Sequence, residues 1–273
     1  MSVRLLTYNI WFSDHFMARR MRAIGDLIAH HAPHVVALQE VTDEHWAELT
    51  AHPSLAAYDW SPRPEGASYY TMIGSLTAWS KLHQPHRVTY TNTGMGRDLL
   101  SAIVRSDGQP PLVLGTSHLE SLNMVRARSE QIAELTGWLN ELGEGSTDVV
   151  MCGDTNVASG SLKGQAVDEP VSLGVGWRDA WEAVGGQDGG YTFDAQTNRM
   201  VHRLDGWARV NMARLRFDRF WTLLYRYECV GVEMIGTSPL ASDGDAEAVG
   251  EEIWPSDHFG VLLTMAVRPS AAS

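Results

Sequence analysis

The sequence predicts an α/β fold of the layered-sandwich kind, with β-sheets packed face to face inside and helices outside. Three observations carry this. Helical and strand periodicities alternate along the chain. Strand hairpins interrupt the alternation between positions 58 and 116, so a simple doubly wound sheet does not fit. The length of 273 residues, with 44% hydrophobic and 20% charged residues, is enough for one large packed unit.

The elements follow in order. Val3 to Asn9 reads as a buried strand. Phe16 to His31 carries Met17, Met21, Ile24, Leu27 and Ile28 at helical spacing, and Pro33 follows where a helix would end. Val35 to Leu38 is a short apolar strand running into Gln39-Glu40, and Thr42 to Leu49 reads as a second helix. Between Tyr58 and Thr116 come strands broken by Pro and Gly, clearest in Leu99 to Val104 and Leu112 to Thr116. Ser121 to Leu142 is expected to be one long amphipathic helix, stopped by Gly143. Asp148 to Cys152 is a strand running into Gly153-Asp154, and Arg178 to Val184 reads as a short helix. Late strands are expected over Arg219 to Tyr225, Tyr227 to Met234 and Phe259 to Val267. Thr237 to Glu252, rich in small and acidic residues, reads as a surface loop. No repeat or linker divides the chain, so one domain over 1–268 with a short tail at 269–273 is expected.

Composition narrows the partners. Lys+Arg is 21 against 33 Asp+Glu, a net charge of −12. That excludes the broad basic footprint of a protein coating long duplex DNA, and points to a local site with a metal ion supplying positive charge. Only Cys152 and Cys229 are present, so a disulfide framework is excluded and a reducing compartment expected. No apolar run reaches the ~20 residues of a membrane span. The first eight residues turn polar too soon for a signal peptide, which gives a cytoplasmic expectation, or a nuclear one in a eukaryote. A monomer is expected.

Polar residues collect at the ends of the expected strands. Val3–Leu6 delivers Asn9, and Val35–Leu38 delivers Gln39 and Glu40. Leu112–Gly115 delivers His118 and Ser121, and Val149–Cys152 delivers Asp154 and Asn156. Asp218 opens one strand, and Asp257-His258 precede another. Each segment alone fits ordinary local structure: Asn9 as a turn cap, Glu40 as a helix-start residue, Gly153 to Asn156 as a turn. A fold has no need for all of them at successive strand ends, where α/β sites form. Glu40, with Asp154 or Asp257, offers hard oxygen ligands suited to Mg²⁺ or Mn²⁺. Asn and His side chains can hold phosphate oxygens, and an Asp can orient and deprotonate water. Together they read as phosphate-ester hydrolysis. Neither a nucleophile elbow, a Walker loop nor a dinucleotide fingerprint is present.

Thr7-Tyr8-Asn9, Gln39-Glu40-Val41, His118-Leu119-Glu120-Ser121, Gly153-Asp154-Thr155-Asn156, Phe217-Asp218-Arg219 and Ser256-Asp257-His258 occur in this order. In that set the chain resembles the endonuclease/exonuclease/phosphatase superfamily; with Arg128 and Gln131 after Ser121, Tyr191-Thr192-Phe193-Asp194, Leu215-Arg216-Phe217-Asp218-Arg219 and Pro255-Ser256-Asp257-His258-Phe259-Gly260 it is similar, within it, to the tyrosyl-DNA phosphodiesterase 2 subfamily. The resemblance implies a deoxyribonuclease I-like four-layer α/β sandwich, with two central, mostly antiparallel sheets flanked by helices. It implies a Mg²⁺-dependent phosphodiesterase, Mn²⁺ able to substitute, acting on a DNA 5′ end that carries a phosphotyrosyl adduct in DNA repair. Glu40 would then be the main metal ligand and Asp154 would orient the attacking water. Asn9, Asn156 and His258 would hold phosphate oxygens, with Asp218 bonded to the His258 ring. His118 and Ser121 would contact the phosphate or the leaving side, and Asp257 would complete the site near metal or water. Four positions depart from the subfamily: Trp11-Phe12 replaces a small acidic loop, Ala158 an arginine and Phe193 a tryptophan.

A same-fold phosphodiesterase acting on plain nucleic acid, a nucleotide or a phospholipid head group is the alternative, and a non-catalytic phosphate-binding scaffold a further one. A phenolate, with a pKa of ~10, leaves more easily than a sugar alkoxide. Trp11, Phe12, Phe193 and Trp254 are candidates to stack on terminal bases or the tyrosine ring. Arg199, Arg203, Arg209, Arg214, Arg216, Arg219 and Arg226, against Asp205 and Asp218, give a local +5. If that stretch lines a groove, Arg216 is the sharpest substrate-binding candidate; the other reading is a solvated or internally paired face.

Overall fold

The computed structural model describes residues 2–184, 188–203, 211–241 and 251–269. The first half runs β1 (Ser2–Asn9), α1 (Met17–His31), β2 (Val35–Val41), α2 (Asp43–Thr50), β3 (Tyr58–Trp60), β4 (Tyr70–Leu76), β5 (Lys81–Thr89), β6 (Asp98–Arg105) and β7 (Leu112–His118). The second runs α3 (Val125–Leu142), β8 (Asp148–Asp154), β9 (Ser159–Leu162), β10 (Gln165–Asp168), β11 (Arg178–Asp179), α4 (Ala180–Ala183), β12 (Phe193–Asp194), β13 (Arg214–Leu215), β14 (Asp218–Leu223), β15 (Tyr227–Ile235) and β16 (Gly260–Val267).

Two six-stranded sheets form, in the orders β15-β16-β1-β2-β4-β3 and β11-β14-β8-β7-β6-β5. Each has one parallel pair, β1–β2 in the first and β7–β8 in the second. Parallel neighbours need a crossover, and α1 and α3 supply them. Side-chain alternation then sets the layers. Val3 and Leu5 of β1 meet Leu112, Leu114, Val150 and Phe220 between the sheets. Leu6 and Tyr8 turn the other way, onto Met21, Ile24 and Ile28 of α1. Val149, Met151 and Trp221 pack against Ile132, Leu135 and Leu139 of α3. Helix, sheet, sheet, helix is the four-layer deoxyribonuclease I-like sandwich.

The structure corrects several boundaries. Helix α3 begins at Val125 rather than Ser121. Leu122 sits in the left-handed region at φ 59°, and Arg128 Nη1 takes the carbonyls of Glu120 (3.0 Å) and Leu122 (2.8 Å), so residues 121–124 form a loop. Arg178 and Asp179 pair with Thr222 and Trp221 as a strand, and only Ala180–Ala183 is helical, capped by Asp179. A small sheet, β10-β9-β13-β12, has strands of two to four residues, too short to carry a sequence period. Positions 242–250 of the expected surface loop, Asp205 and Arg209, and positions 270–273 of the expected tail lie outside the described residues.

Candidate active site

The strand ends converge on one rim, and they come from both sheets. Parallel register brings Asn9 beside Gln39 and His118 beside Asp154. Antiparallel register sets Asp218, the first residue of β14, opposite Asp154. The segment leading into β16 is tied on by Ser256 Oγ, which donates to the Asn9 carbonyl at 2.7 Å. Glu40 is aimed by its backbone. It sits at φ 61°, and the β2–β4 register shifts between Leu38 and Val41, a bulge at the rim. Gln39 Nε2 donates to Thr7 Oγ1 and to Thr116 Oγ1, two residues before Asn9 and His118, both at 3.1 Å, linking the sheets.

Asp154 Oδ2 is the hub. Asn9 Nδ2 donates to it at 2.9 Å, and reaches Glu40 Oε1 at 3.2 Å. His118 Nε2 lies 3.4 Å from the same oxygen and His258 Nε2 3.8 Å. The other oxygen accepts the Asn156 amide at 3.0 Å, with Asn156 itself left-handed at φ 50°. His258 Nδ1 is bonded to Asp218 Oδ2 at 2.7 Å. The amide protons of Asn9 are thus directed at two carboxylates, and Asn156 Nδ2 at the Leu119 carbonyl (3.1 Å). In this arrangement both hold the cluster in shape rather than present free donors.

Burial and crowding set the protonation. Burial, reinforced by the charge of Asp257, raises Glu40 to about 7. Burial likewise raises Asp257 and Asp218. Asp154 is held below its ordinary value: burial opposes this, but His118, His258 and the Asn9 bond outweigh it. Burial lowers His118 to about 3, so its ring is neutral. Burial also disfavours charge on His258, yet Asp218, Asp154 and Asp257 raise it well above the ordinary imidazole value. The rim therefore carries a neutral and a cationic imidazole next to one ionised carboxylate oxygen.

The donor set fits a divalent cation. Ligand atoms of Glu40, His118 and Asp154 lie within 4.8 Å of one another, and so do those of Asp154, Asp218 and His258. His118 Nδ1 is buried without a hydrogen-bond partner. Crowded carboxylate oxygens of this kind suit a hard ion. Asp257, expected as a ligand, belongs to neither cluster, and its Oδ1 bonds with Ser256 Oγ.

Other expected residues separate into two groups. Phe12 is 53% exposed and its amide donates to Glu40 Oε2 at 3.0 Å. Phe193 stands 5.1 Å from the His258 ring, beside Phe217. Trp11 and Trp254, each 4% exposed, instead pack together in a buried cluster with Met200, Ile253 and Phe259, so neither offers a stacking face. Ser121 bonds Met95 Sδ at 3.1 Å rather than the cluster. Arg216, 5% exposed, donates to Asp179 at 2.8 Å and Glu182 at 2.9 Å. Strand β13 ends before it, so the expected run to Asp218 on one face is broken. Every described arginine of that stretch is ion-paired: Arg199 with Glu252, Arg203 with Glu251, Arg214 with Asp194, Arg216 and Arg219 with Asp179, Arg226 with Asp148. Among the described residues the stretch builds the paired face rather than a groove of free cations.

Sequence reasoning missed Tyr69 and Arg97. A cavity of about 260 Å³ opens beside Glu40 and His118, walled by residues 66–71 and 95–98. The Arg97 guanidinium lies 5.2 Å from the Tyr69 ring centre, and Tyr69 lies 6.0 Å from His118. Among the described residues Arg97 forms no ion pair, and its Nε is buried without a partner. Neither residue sits in a recognisable motif; only the Gly-Ala-Ser and Gly-Met-Gly turns hint at close approach. A larger cavity, of about 470 Å³, lies under residues 168–177 and contains none of the rim cluster.

Two stacked sheets that share one carboxylate- and imidazole-lined rim define a class of phosphoric-ester hydrolases, and this chain is an enzyme of that class. It belongs to the Endonuclease/Exonuclease/phosphatase family, whose model matches residues 6–258. It is 31% identical to bovine (Bos taurus) tyrosyl-DNA phosphodiesterase 2 over 96% of its length and 67% of that protein. The human (Homo sapiens) protein of that name gives 29% over 96% and 67%. The chain thus spans about two thirds of the length of these relatives. Among solved structures, Danio rerio TDP2 complexed with single-strand DNA product superposes with a TM-score of 0.81 at 26% identity, covering 97% of this chain and 99% of that one. The catalytic domain of human Nocturnin shares the fold alone, at 16% identity and a TM-score of 0.69, over 98% and 94% of the two chains.

Proposed function

We propose that this chain is a Mg²⁺-dependent phosphodiesterase that hydrolyses the bond between a tyrosine side chain, as in a trapped topoisomerase, and the 5′ phosphate of DNA. The observation that carries this is Asp154 Oδ2, approached by Asn9, His118 and His258 from three separate parts of the chain. The similarity to tyrosyl-DNA phosphodiesterase 2 over nearly the whole chain supports the substrate. Glu40 and Asp154 would hold the cation, which supplies charge neutralisation at the phosphate. Asp154, kept ionised, orients the attacking water and draws off its proton. His258, kept cationic by Asp218, donates to a phosphate oxygen as negative charge grows there. Water oxygen bonds to phosphorus, the phosphorus–phenol oxygen bond breaks, and a 5′-phosphate and tyrosine result. Neutral His118 lies against the same Asp154 oxygen and can donate one hydrogen bond. The single catalytic domain over 1–268 is part of the same reading.

One comparison tests it: 5′-phosphotyrosyl DNA, 3′-phosphotyrosyl DNA and plain single-stranded DNA, each in EDTA, Mg²⁺ or Mn²⁺. The 5′ adduct should be the fast substrate, inert in EDTA and restored by either ion. Equal cleavage of plain DNA would make the chain a general nuclease, and full turnover after verified metal removal overturns the cation assignment. Glu40→Gln should lose both turnover and calorimetric Mn²⁺ binding while remaining folded.

A further inference from the structure

Arg20 is a cation in a place that disfavours one. It lies in the first turn of α1, where the helix dipole opposes positive charge, and it is fully buried. Burial pulls it down to about 10, with Asp257 the largest opposing pull, so it stays charged at neutral pH. Among the described residues no carboxylate pairs with it. Its five N–H groups go instead to five carbonyls. Nε donates to His15 (2.8 Å), Nη1 to Ile10 (2.9 Å) and Pro255 (3.4 Å), and Nη2 to Trp11 (3.1 Å) and Ser13. Those carbonyls belong to two segments that build the rim. Residues 10–15 leave β1, and Pro255 opens the run to His258 that enters β16. The first segment is bounded by left-handed backbone, at Trp11 (φ 59°) and Phe16 (φ 46°), which persists only where its surroundings hold it. While its carbonyls meet Arg20, its amides serve the rim. Trp11 donates to Asn9 Oδ1 and Phe12 to Glu40 Oε2, each at 3.0 Å. With its oxygen so fixed, Asn9 turns Nδ2 to Asp154 and Glu40.

We propose, resting on the metal-dependent hydrolase reading, that Arg20 is a positioning residue of the rim: its guanidinium fork holds the two segments in one fixed relation and through them sets Asn9, Glu40 and His258 for cation binding and attack on phosphate. Arg20 touches neither cation nor substrate. It acts on Glu40 through the Phe12 amide, on Asn9 through the Trp11 amide, and on His258 through the Pro255 carbonyl three residues before it. The fork matters as well as the charge. Lysine brings the same charge but three N–H groups and no planar fork, so at least two of the five carbonyls would lose their donor. A residue that only stabilised the fold would, when replaced, lower the melting temperature and leave the folded site unchanged. A positioning residue changes the site in the molecules that remain folded.

Arg20→Lys tests this. It should weaken calorimetric Mn²⁺ binding about tenfold, the scale on which groups that orient metal ligands act. At saturating Mg²⁺ it should lower kcat for a 5′-phosphotyrosyl oligonucleotide by about 10- to 100-fold, with KM within about twofold of wild type, because the reacting groups are misplaced and the DNA contacts are not. A folded Arg20→Lys protein with wild-type kcat and wild-type Mn²⁺ affinity overturns the proposal and leaves Arg20 a stabiliser of the fold. A second measurement uses wild type and holds even where the variant does not fold. With arginine labelled by ¹⁵N, the Arg20 side-chain N–H groups should exchange slowly with water, and Mg²⁺ should slow them further by about threefold, as expected when opening of the clamp requires opening of the filled site. Exchange that Mg²⁺ leaves unchanged, while calorimetry shows the ion bound, overturns the coupling of Arg20 to the site. Failure of wild type to bind either ion rejects the cation reading and the proposal with it. The same Arg20→Lys losses on a different phosphodiester, with the tyrosyl adduct left uncut, would support the clamp and reject only the tyrosyl substrate.

Discussion

Glu40 is a carboxyl whose proton is bound to the metal-free fold. Burial first, and then Asp257, moves it from 4.5 to about 7. The folded chain keeps a proton that the unfolded chain releases above pH 4.5, so this group's contribution to stability falls as pH rises from about 4.5 to about 7. Glu40→Gln has the neutral shape at every pH. In EDTA it should match wild type near pH 5 and exceed it at pH 8, by roughly 3 kcal/mol at most. Thermal unfolding at the two pH values measures this, and a pH-independent difference would discard the raised value. The pairing of Asp218 with His258 makes a kinetic claim. Asp218→Asn should lower kcat at least ~100-fold, as expected for a lost oxyanion contact. The Asp218→Asn/His258→Ala double variant should be little worse than His258→Ala alone, because both changes remove one device. Additive losses would show that the two residues act separately.

Elements differ in how far they could be read. The central strands were legible as continuous apolar runs because both faces are buried, and α1 as a helical period because only one face is. The rim residues were legible because each sits at one end of such a strand: Asn9, Glu40, His118 and Asp154 where one closes, Asp218 and His258 where one opens. Trp11 and Phe12 looked alike in the sequence, and only the structure separates them: Phe12 is exposed, while Trp11 packs inward against Arg20 of another element. Arg216 was misread because its partners, Asp179 and Glu182, lie more than thirty residues away in sequence. Tyr69 and Arg97 were missed because their importance is a matter of distance to His118, which no local pattern encodes. One position shows how tightly the elements are fitted. Gly153, at φ 142°, separates Asp154 from the rest of β8, and a Cβ there would stand 2.0 Å from the Ser117 carbonyl oxygen of β7. Gly153→Ala should cost more than ~3 kcal/mol in chemical denaturation, beyond the usual range for single substitutions. A loss under ~1 kcal/mol would mean that β7 and β8 can separate at the site.

At the scale of the whole molecule the charge map has a consequence for binding. The chain carries a net −12, and each described arginine of the C-terminal stretch is matched by an acid. Only a few phosphates can then be neutralised, so the logarithm of DNA affinity should fall with the logarithm of salt with a slope of about −2. A slope several times steeper, from binding titrations between 50 and 200 mM salt, would reveal a basic track elsewhere. The two ends of the chain also meet: β1 pairs along its length with β16, and Ser256 fastens to Asn9. Asn9 leaves a ribosome long before His258 does. A nascent chain therefore carries Glu40, His118 and Asp154 long before the imidazole that completes the rim arrives. The rim's full chemistry is thus withheld until His258 has been made, and a product cut short before it is born without its cationic imidazole.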